Sequence, residues 1–398
     1  MQFLTYSRAL VMKSTYKRLG DLISPISIKN SDLRTTDLRG VNYQKYFMHS
    51  VANTVGVDLS AYKLVEKGQF ACNLMHVGRD ECLPIALHCE EQPIIVSPAY
   101  FTFQVKDENK ILSEFLFLWF RRREFDRQAC FYTDADVRQG LIKSAFLNME
   151  IPVPSIEEQR KIVAEYQAIK QRIENNRRLI ATLEATAQTI YRKMFVDDID
   201  PENLPDGWRM GTIGEICEIN TDNISSKDNF LEIQYLDSSS VTRNIFEEYQ
   251  TLNTHIDEIP SRAKRKVKKG DIVYSTVRPN LRHYGIMKGD VTNVIVSTAF
   301  AVIRSHCNSI SNELLYVMLT DDNTTEYLQG IAEMSKATYP SVTPEDMSLL
   351  KVIIPSNSVG ISNINRNIKC CFDFLYYKSQ ENKELSNLQS LLLAKIGL

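Results

Sequence analysis

Residues Ile151–Val163 read IPVPSIEEQRKIV. Two prolines close an extended run, because proline fixes φ and disfavours a helical residue just before it. Ser155 with Glu158 three positions on forms a capping box, and the pair Glu157–Glu158 suits the positive end of a helix. The pattern predicts a helix over 156–199. Along it Ile162, Tyr166, Ile169, Ile173, Asn176, Ile180, Leu183, Ala187, Ile190 and Met194 alternate spacings of four and three. These are the core positions of about five heptads, a narrow stripe that a second helix must cover. Asn176 interrupts the stripe, and a polar residue there costs stability while fixing register.

The covering helix is expected at 357–398. Its pattern is rougher: Ile368, Phe372 and Leu375, then Leu385, Leu388 and Leu392 after a one-residue slip. The two helices occupy equivalent places in a duplicated chain. PIIVSPAYFTFQV from Pro93 aligns with NVIVSTAFAVIRS from Asn293, and KLVEKGQFACN from Lys63 aligns with RKVKKGDIVYS from Arg265. YKRLGDLI from Tyr16 resembles WRMGTIGEIC from Trp208, and MEIPVPS ending at Ser155 matches LKVIIPS ending at Ser356. Four blocks in one order at a nearly constant offset mark a repeated unit, too long for a solenoid and suited to a domain with an appendage. Helices of this length at 1.5 Å per residue extend roughly 60 Å, beyond what one such domain covers. An antiparallel pair that spaces two similar domains is the expected arrangement.

Each unit reads as α+β. GDIVYSTV and VIVSTAFAVI are strand-like, while Ile111–Phe125 and Asn312–Ile331 read as helices in corresponding places. The expected segmentation is a first domain over 1–155, the central helix over 156–199, a second domain over 200–356, and the terminal helix over 357–398. At 398 residues the chain exceeds what a single core comfortably holds. A hydrophobic fraction of 43% with 24% charged residues predicts ordinary globular folding. No apolar run is long enough to span a membrane. The first residues lack a secretory signal. A cytoplasmic location is expected.

The chemistry of the chain points to recognition rather than catalysis. Phosphate-cradling glycine loops, nucleophile elbows and zinc-protease helices are absent from the sequence. Eight cysteines lie scattered without a close pair, as in a reduced protein. Cys72, His76, Cys82, His88 and Cys89 cluster, but their spacing departs from the paired ligands of structural zinc, so no metal is expected. Net charge is −2, giving no global sign of nucleic-acid binding. Cations nevertheless concentrate locally. Arg262–Lys269 reads RAKRKVKK, VRPNLRHYG follows at Val277–Gly285, and RRREFDR occupies Arg121–Arg127. The matching loop in the first unit is NLMHVGRDE at Asn73–Glu81. Arg, Asn, His and Tyr on loops leaving a sheet suit phosphate and base-edge contacts. A charged solvated edge is the plainer reading of RAKRKVKK, and pairing with Glu114, Glu124 and Asp126 is that of RRREF.

With these stretches in hand, the chain resembles specificity subunits of type I restriction–modification enzymes. The resemblance rests on KSTYKRLGDLI, on KGQFACNLMHVGRDECLPIAL leading to IVSPAYFTF, and on DVRQGLIKSAFLNMEIPVPSIEEQRKIV. In the second half it rests on LPDGWRMGTIGEICEI, GDIVYSTVRPNL, VSTAFAVI and SKATYPSVTPEDMSLLKVIIPS. It implies two target-recognition domains joined by two long helices in an antiparallel coiled coil, with no catalytic residues in this chain. Each domain would read one half of an asymmetric bipartite site in double-stranded DNA. Two methyltransferase subunits using S-adenosylmethionine would methylate adenine at N6, and restriction (translocase) subunits using ATP and Mg would join them, leaving this chain without a cofactor of its own. Two departures stand out. The second helix start reads IPSNSVGISNIN where the family repeats its acid pair, and eleven residues precede MKSTYKRLGDLI, a natural beginning for the family, so either Met12 is the true start or Met1–Val11 form a loose extension.

By position, the DNA-contacting residues are expected to be Asn73, His76 and Arg79 in the first domain and Arg278, Asn280, Arg282, His283 and Tyr284 in the second. Lys336, Thr338 and Ser341, with Arg138 as their first-domain equivalent, form a second rank. Two rival readings are a coiled-coil scaffold with two protein-binding heads and no DNA binding, and a metal-dependent nuclease using Asp271 or Glu81.

Overall fold

The computed structural model describes residues 15–50, 56–75, 77–133, 140–225, 227–335, 339–356 and 358–396. Met1–Val11, expected as a loose extension, lie outside the described residues. The chain divides into two compact units, residues 1–173 with 384–398, and residues 174–383.

The repeat seen in the sequence is a repeat of structure. In the first domain, Ile23–Ile26, Phe101–Val105, Gln69–Cys72 and Ile85–Leu87 form an antiparallel four-stranded sheet in that order. In the second, Cys217–Ile219, Phe300–Ser305, Ile272–Ser275 and Tyr284–Ile286 reproduce it. A second layer pairs Lys63–Val65 with Ile94–Val96, and correspondingly Ala263–Lys266 with Val294–Ser297. The run VIVSTAFAVI is therefore not one strand. It turns at Ser297, and its halves join different sheets. Ser97 and Ser297, which aligned the repeat, play the same part. Each hydroxyl accepts the N–H two residues on, at 3.4 Å from Ala99 and 3.3 Å from Ala299, holding the turn between sheets. Gly68 and Gly270 both sit at positive φ, +82° and +93°, which a side chain would strain.

Each expected helix after the sheet is a pair: Ser113–Phe120 with Arg123–Phe131, and Asn312–Thr320 with Asp322–Met334. The members nearest the sheet are apolar nearly all round and buried, as a helix enclosed by a core must be. Each domain closes on a two-stranded ribbon, Thr15–Arg18 with Glu150–Val153 and Arg209–Thr212 with Lys351–Ile354. A long helix leaves each ribbon.

The first long helix runs Ile156–Arg192 and ends in a wider, π-type turn over Lys193–Asp197. Ser155 Oγ accepts the Glu158 N–H at 3.3 Å, as the cap requires. Gln159, third letter of the EEQ motif, is completely buried. Its amide accepts the Leu112 N–H at 2.9 Å and donates to the carbonyls of Lys110 at 3.0 Å and Pro154 at 2.9 Å. The second long helix, Val359–Lys395, starts without the acid pair, capped instead by Ser358 Oγ, which accepts the Ile361 N–H at 3.3 Å. Asn365 takes the place of Gln159. It accepts the Ser311 N–H at 3.0 Å and donates to the Ser309 carbonyl at 2.9 Å. The same backbone donor and acceptor, two residues apart ahead of the sheet-facing helix, are thus satisfied in both domains by an amide from the long helix. The departure from the family's motif is compensated one turn along.

The expected stripe on the first helix holds for Ile162, Tyr166, Ile173, Asn176, Ile180 and Ala187, all buried, and for half-buried Ile169, Leu183 and Ile190. Met194 is exposed. Tyr191 and Phe195 are buried in its stead, following Ala187 in steps of four, with Phe195 inside the wider final turn. The second helix corrects a larger expectation. Leu388 is exposed, and there is no slip. Ile361, Ile364, Ile368, Cys371, Leu375, Lys378, Asn382, Leu385, Gln389, Leu392 and Ile396 are buried or half-buried in unbroken steps of three and four.

In the first unit, Ile162, Val163 and Tyr166 share a core with Leu392, Leu393 and Ile396, so the beginning of one helix meets the end of the other. In the second unit, Ile180, Leu183, Ala187 and Ile190 share a core with Ile368, Phe372 and Leu375. There the side chain of Asn176 donates to Asn382 Oδ1 at 3.0 Å, so the interrupting asparagine has a matching asparagine. Within each unit the helix segments run antiparallel.

Removing Gln159 or Asn365 takes the side-chain partner from a partly buried backbone N–H and from the carbonyl two residues before it. Gln159→Ala and Asn365→Ala should each cost about 1–3 kcal/mol, read as a lowered urea midpoint with an unchanged slope. Equal midpoints for variant and parent would contradict the anchoring role. Asn176→Leu alone should destabilise by setting an apolar side chain where a donor met Asn382 Oδ1, and adding Asn382→Leu should recover part or all of the loss, a coupling read from the double-mutant cycle in thermal melts.

Candidate nucleic-acid interface

In the second domain the strand Ile272–Ser275 exits into the loop Thr276–His283, whose core is RPNLR. Pro279–Leu281 make a single 3-10 turn, and both flanking arginines are left-handed: Arg278 at φ 48°, ψ 70° and Arg282 at φ 57°, ψ 38°. Non-glycine residues pay steric strain there, and such strain concentrates where function demands an unusual shape. A second loop, which leads into the short helix Pro344–Ser348, locks on from the side. Val342 donates to the Thr276 carbonyl at 2.9 Å, and Arg278 donates its N–H to the Pro340 carbonyl at 2.9 Å. The Arg278 guanidinium sits over the exposed ring of Tyr339, 5.7 Å from its centroid. The helix Asp322–Met334 supports the turn, with Gln329 Oε1 accepting the Asn280 N–H at 3.2 Å.

The first domain repeats the device. The loop after Gln69–Cys72 is joined to the loop before the helix Lys143–Asn148 by Leu141 donating to the Leu74 carbonyl at 2.8 Å. Leu74 and Leu141, far apart in sequence, thus belong to two loops of one edge, as do Arg278 and Ser341 in the second domain.

The individual candidates fare differently. Arg278 and Asn280 are exposed, and Ser341 is half-buried, bridged to Val277. Arg282 reaches back instead, pairing with Asp322 at 2.7 Å in a cleft shared with Arg243 and Glu184. Burial in that cleft raises the Glu184 carboxyl above its ordinary range, against the pull of Arg243. His283 is half-buried, its Nδ1 2.7 Å from the Val241 carbonyl. Tyr284 is a correction: it lies in the core, stacked on Tyr274 at 5.3 Å and edge-on to Tyr316. Burial raises its hydroxyl above the usual tyrosine range. It follows basic residues in sequence, yet the strand it opens is buried throughout. In the first domain Asn73 is half-buried, and its side chain accepts the Met75 N–H at 3.0 Å, shaping the loop. Arg79 is exposed and pairs with Asp80 at 2.8 Å. His76, Arg138, Lys336 and Thr338 lie outside the described residues. Tyr339 was missed from the sequence; its signal was an aromatic ring directly before Pro340 in the run SKATYPSV.

The strand within RAKRKVKK lies at the edge of its sheet. Lys266 is paired with Asp222 at 3.1 Å and Asp228 at 3.0 Å, Arg265 is half-buried, and Arg262, Lys264, Lys268 and Lys269 are exposed. Charges on an edge strand also block edge-to-edge pairing. Arg121 lies over the Tyr166 ring at 5.6 Å, and Arg122 is buried against Trp119 at 4.3 Å, so part of RRREF is structural. Asp271 is held by Arg304 through bonds of 2.7 and 2.6 Å and accepts the Lys268 N–H at 2.7 Å. Of the cysteine–histidine cluster, Cys72 is buried and its thiol pushed strongly up by burial, while His88 Nε2 lies 2.7 Å from the Gln92 carbonyl. Among the described residues no three metal-binding side chains gather, and no helix there is long and apolar enough to cross a membrane.

Relieving the left-handed strain should show in stability. Arg278→Gly should stabilise the fold by a few tenths to about 1 kcal/mol relative to Arg278→Ala, because glycine lacks the Cβ clash. Calorimetric melting of the two variants checks it, and a lower melting point for the glycine variant would contradict the strained geometry.

Comparison with known proteins bears on this edge. A stretch of 151 residues is 33% identical to the Haemophilus influenzae type I restriction enzyme HindI specificity subunit, covering 37% of this chain and 32% of that protein. Another, of 122 residues, is 25% identical to the Methanocaldococcus jannaschii type I restriction enzyme MjaIX specificity subunit, covering 27% and 28%. The matched stretches thus span about a third of these curated relatives. The fold is similar to the crystal structure of a type I restriction-modification system S subunit from M. genitalium, with a TM-score of 0.59 at 15% identity over 98% of this chain and 97% of that one. Residues 87–185 and 205–364 match the type I restriction modification DNA specificity domain, one match in each half and more than half the chain together. The chain belongs to the family of type I restriction–modification DNA specificity domains, which it carries twice.

Proposed function

We propose that this chain is the DNA-reading subunit of a type I restriction–modification complex. Each domain reads one half of an asymmetric, bipartite site in double-stranded DNA. The observation that carries the reading is the same two-loop edge built twice, in two domains that each match the family. The edges differ in side chains: Asn73 and Arg79 in one, Arg278, Asn280 and Ser341 in the other. Two different half-sites follow, since base identity is read by the groups presented in the groove. Arg278, exposed on a rigid turn and backed by Tyr339, suits guanine; Asn280 suits adenine.

In this reading the chain performs no chemistry itself. Asp271, one of the two acids that the nuclease reading would use, is paired with Arg304. Two methyltransferase subunits using S-adenosylmethionine modify adenine at N6, and restriction subunits using ATP and Mg join them. The chain holds no cofactor, and its place is the cytoplasm, beside the chromosome. Arg282 passes from reader to positioning residue. Its pairing with Asp322 sets the left-handed end of the RPNLR turn.

Mapping N6-methyladenine in cells that express the chain with its methyltransferase tests the function. The expected result is a bipartite motif with an unread gap, of which Arg278→Ala relaxes one half and leaves the other intact. A contiguous motif, or no chain-dependent methylation, contradicts the proposal. Binding to a duplex carrying that motif should also weaken steeply with salt, as phosphate contacts release counterions. A flat response would remove the cationic loops from the interface.

A further inference from the structure

Two large apolar side chains stand out on the surface. Phe131 and Met334 are each 83% exposed, more than any other large hydrophobic among the described residues. They occupy equivalent places. Phe131 is the last residue of the helix Arg123–Phe131, and Met334 is the last of Asp322–Met334. In sequence, each helix is followed by the segment that carries the second loop of its domain's composite edge, reaching Leu141 in one domain and Ser341 in the other.

Both ends are tied to the reading loops. Cys130 Sγ lies 3.5 Å from the Val77 carbonyl in the first domain's loop, and Thr133 bridges to Leu141, which is bonded to Leu74. In the second domain, Gln329, one turn and a residue before Met334, holds Asn280. Phe131 stands T-shaped to the exposed Tyr132 ring at 5.4 Å, and it belongs to none of the hydrophobic cores among the described residues. Isolated exposed apolar residues are ordinary. The two most exposed falling at matched positions of a duplicated domain, each at the end of a helix tied to a candidate reading loop, are not.

We propose that Phe131 and Met334 are a matched pair of apolar probes, each packing against the apolar surface of bases in its own half-site. The inference rests on the DNA-reading function and adds a contact to it. The neighbouring exposed Arg278 and the half-buried Asn73 and Ser341 offer hydrogen bonds and charge. An apolar group adds contact with the thymine methyl, or with a base step that opens easily, which hydrogen bonds and charge do not supply. Phenylalanine and methionine are among the residues that pack on a thymine methyl or wedge between bases.

The test uses the full chain in complex with its methyltransferase and a duplex carrying the mapped motif. Companion duplexes have one or both halves scrambled. Phe131→Ala and Met334→Ala should each weaken specific binding about tenfold, each at one half-site only. Phe131→Leu and Met334→Leu should recover most of the loss. The salt dependence should not change, because an apolar side chain displaces no counterions. Substituting deoxyuridine for single thymines reproduces the alanine loss if the contact is to a methyl group. A rise in fluorescence of 2-aminopurine placed in the half-site marks a wedge instead. Either result supports the inference. Alanine variants that bind the motif as tightly as the parent overturn it, as do variants that weaken motif and scrambled duplexes equally. Loss of the methyltransferase from the complex, with DNA preference intact, assigns the side chains to a protein contact and also overturns it. A parent complex with no preference for the mapped motif overturns the DNA-reading function itself, and this inference with it.

Discussion

A single side-chain amide, buried in Gln159 and half-buried in Asn365, roots each long helix in its domain. Gln159 and Asn365 differ in length and position along their helices, yet both satisfy a backbone N–H and a carbonyl two residues apart ahead of a buried helix. Buried backbone groups demand partners, and an amide side chain supplies donor and acceptor together. The arrangement fixes where each helix starts and how it leaves the closing ribbon. Everything downstream on the helix, including the face its heptads present, follows from that anchor. That two halves with different residues perform the same job argues that the geometry is what matters.

The reading edge depends on a similar economy. The same backbone bond in each domain, Leu141 to Leu74 and Val342 to Thr276, joins two loops separated by many residues in sequence, and Arg278 to Pro340 adds another in the second. The loops otherwise vary freely: a strained RPNLR turn backed by an aromatic ring in one domain, an asparagine-shaped turn with a local Arg79–Asp80 pair in the other. A fixed frame with exchangeable tips is what differing half-sites require. The strain at Arg278 and Arg282 places that edge among the costliest backbone in the domain.

Much of this was legible in the sequence because duplication and heptads are long-range regularities. The aligned Ser97 and Ser297, and the KG turns at Gly68 and Gly270, mark equivalent turns by spacing alone. The second helix was harder. Its stripe carries Lys378, Asn382 and Gln389, polar residues that break an apolar count while keeping the spacing, and so Leu388 looked like a better member than it is. Within the site, sequence located the loops but not the direction of each side chain. Tyr284 and Arg282 sit beside Arg278 in the chain, yet one enters the core and the other turns back to Asp322. Burial and pairing partners from distant segments decide that, and neither is visible in local composition.

The central claim is that each domain reads its own half-site independently of the other. Exchanging the second domain, residues 205–356, for the corresponding domain of a relative with a different target tests it most directly. Methylation mapping should then show one half of the motif replaced and the other retained. A motif changed in both halves, or in neither, would contradict the account.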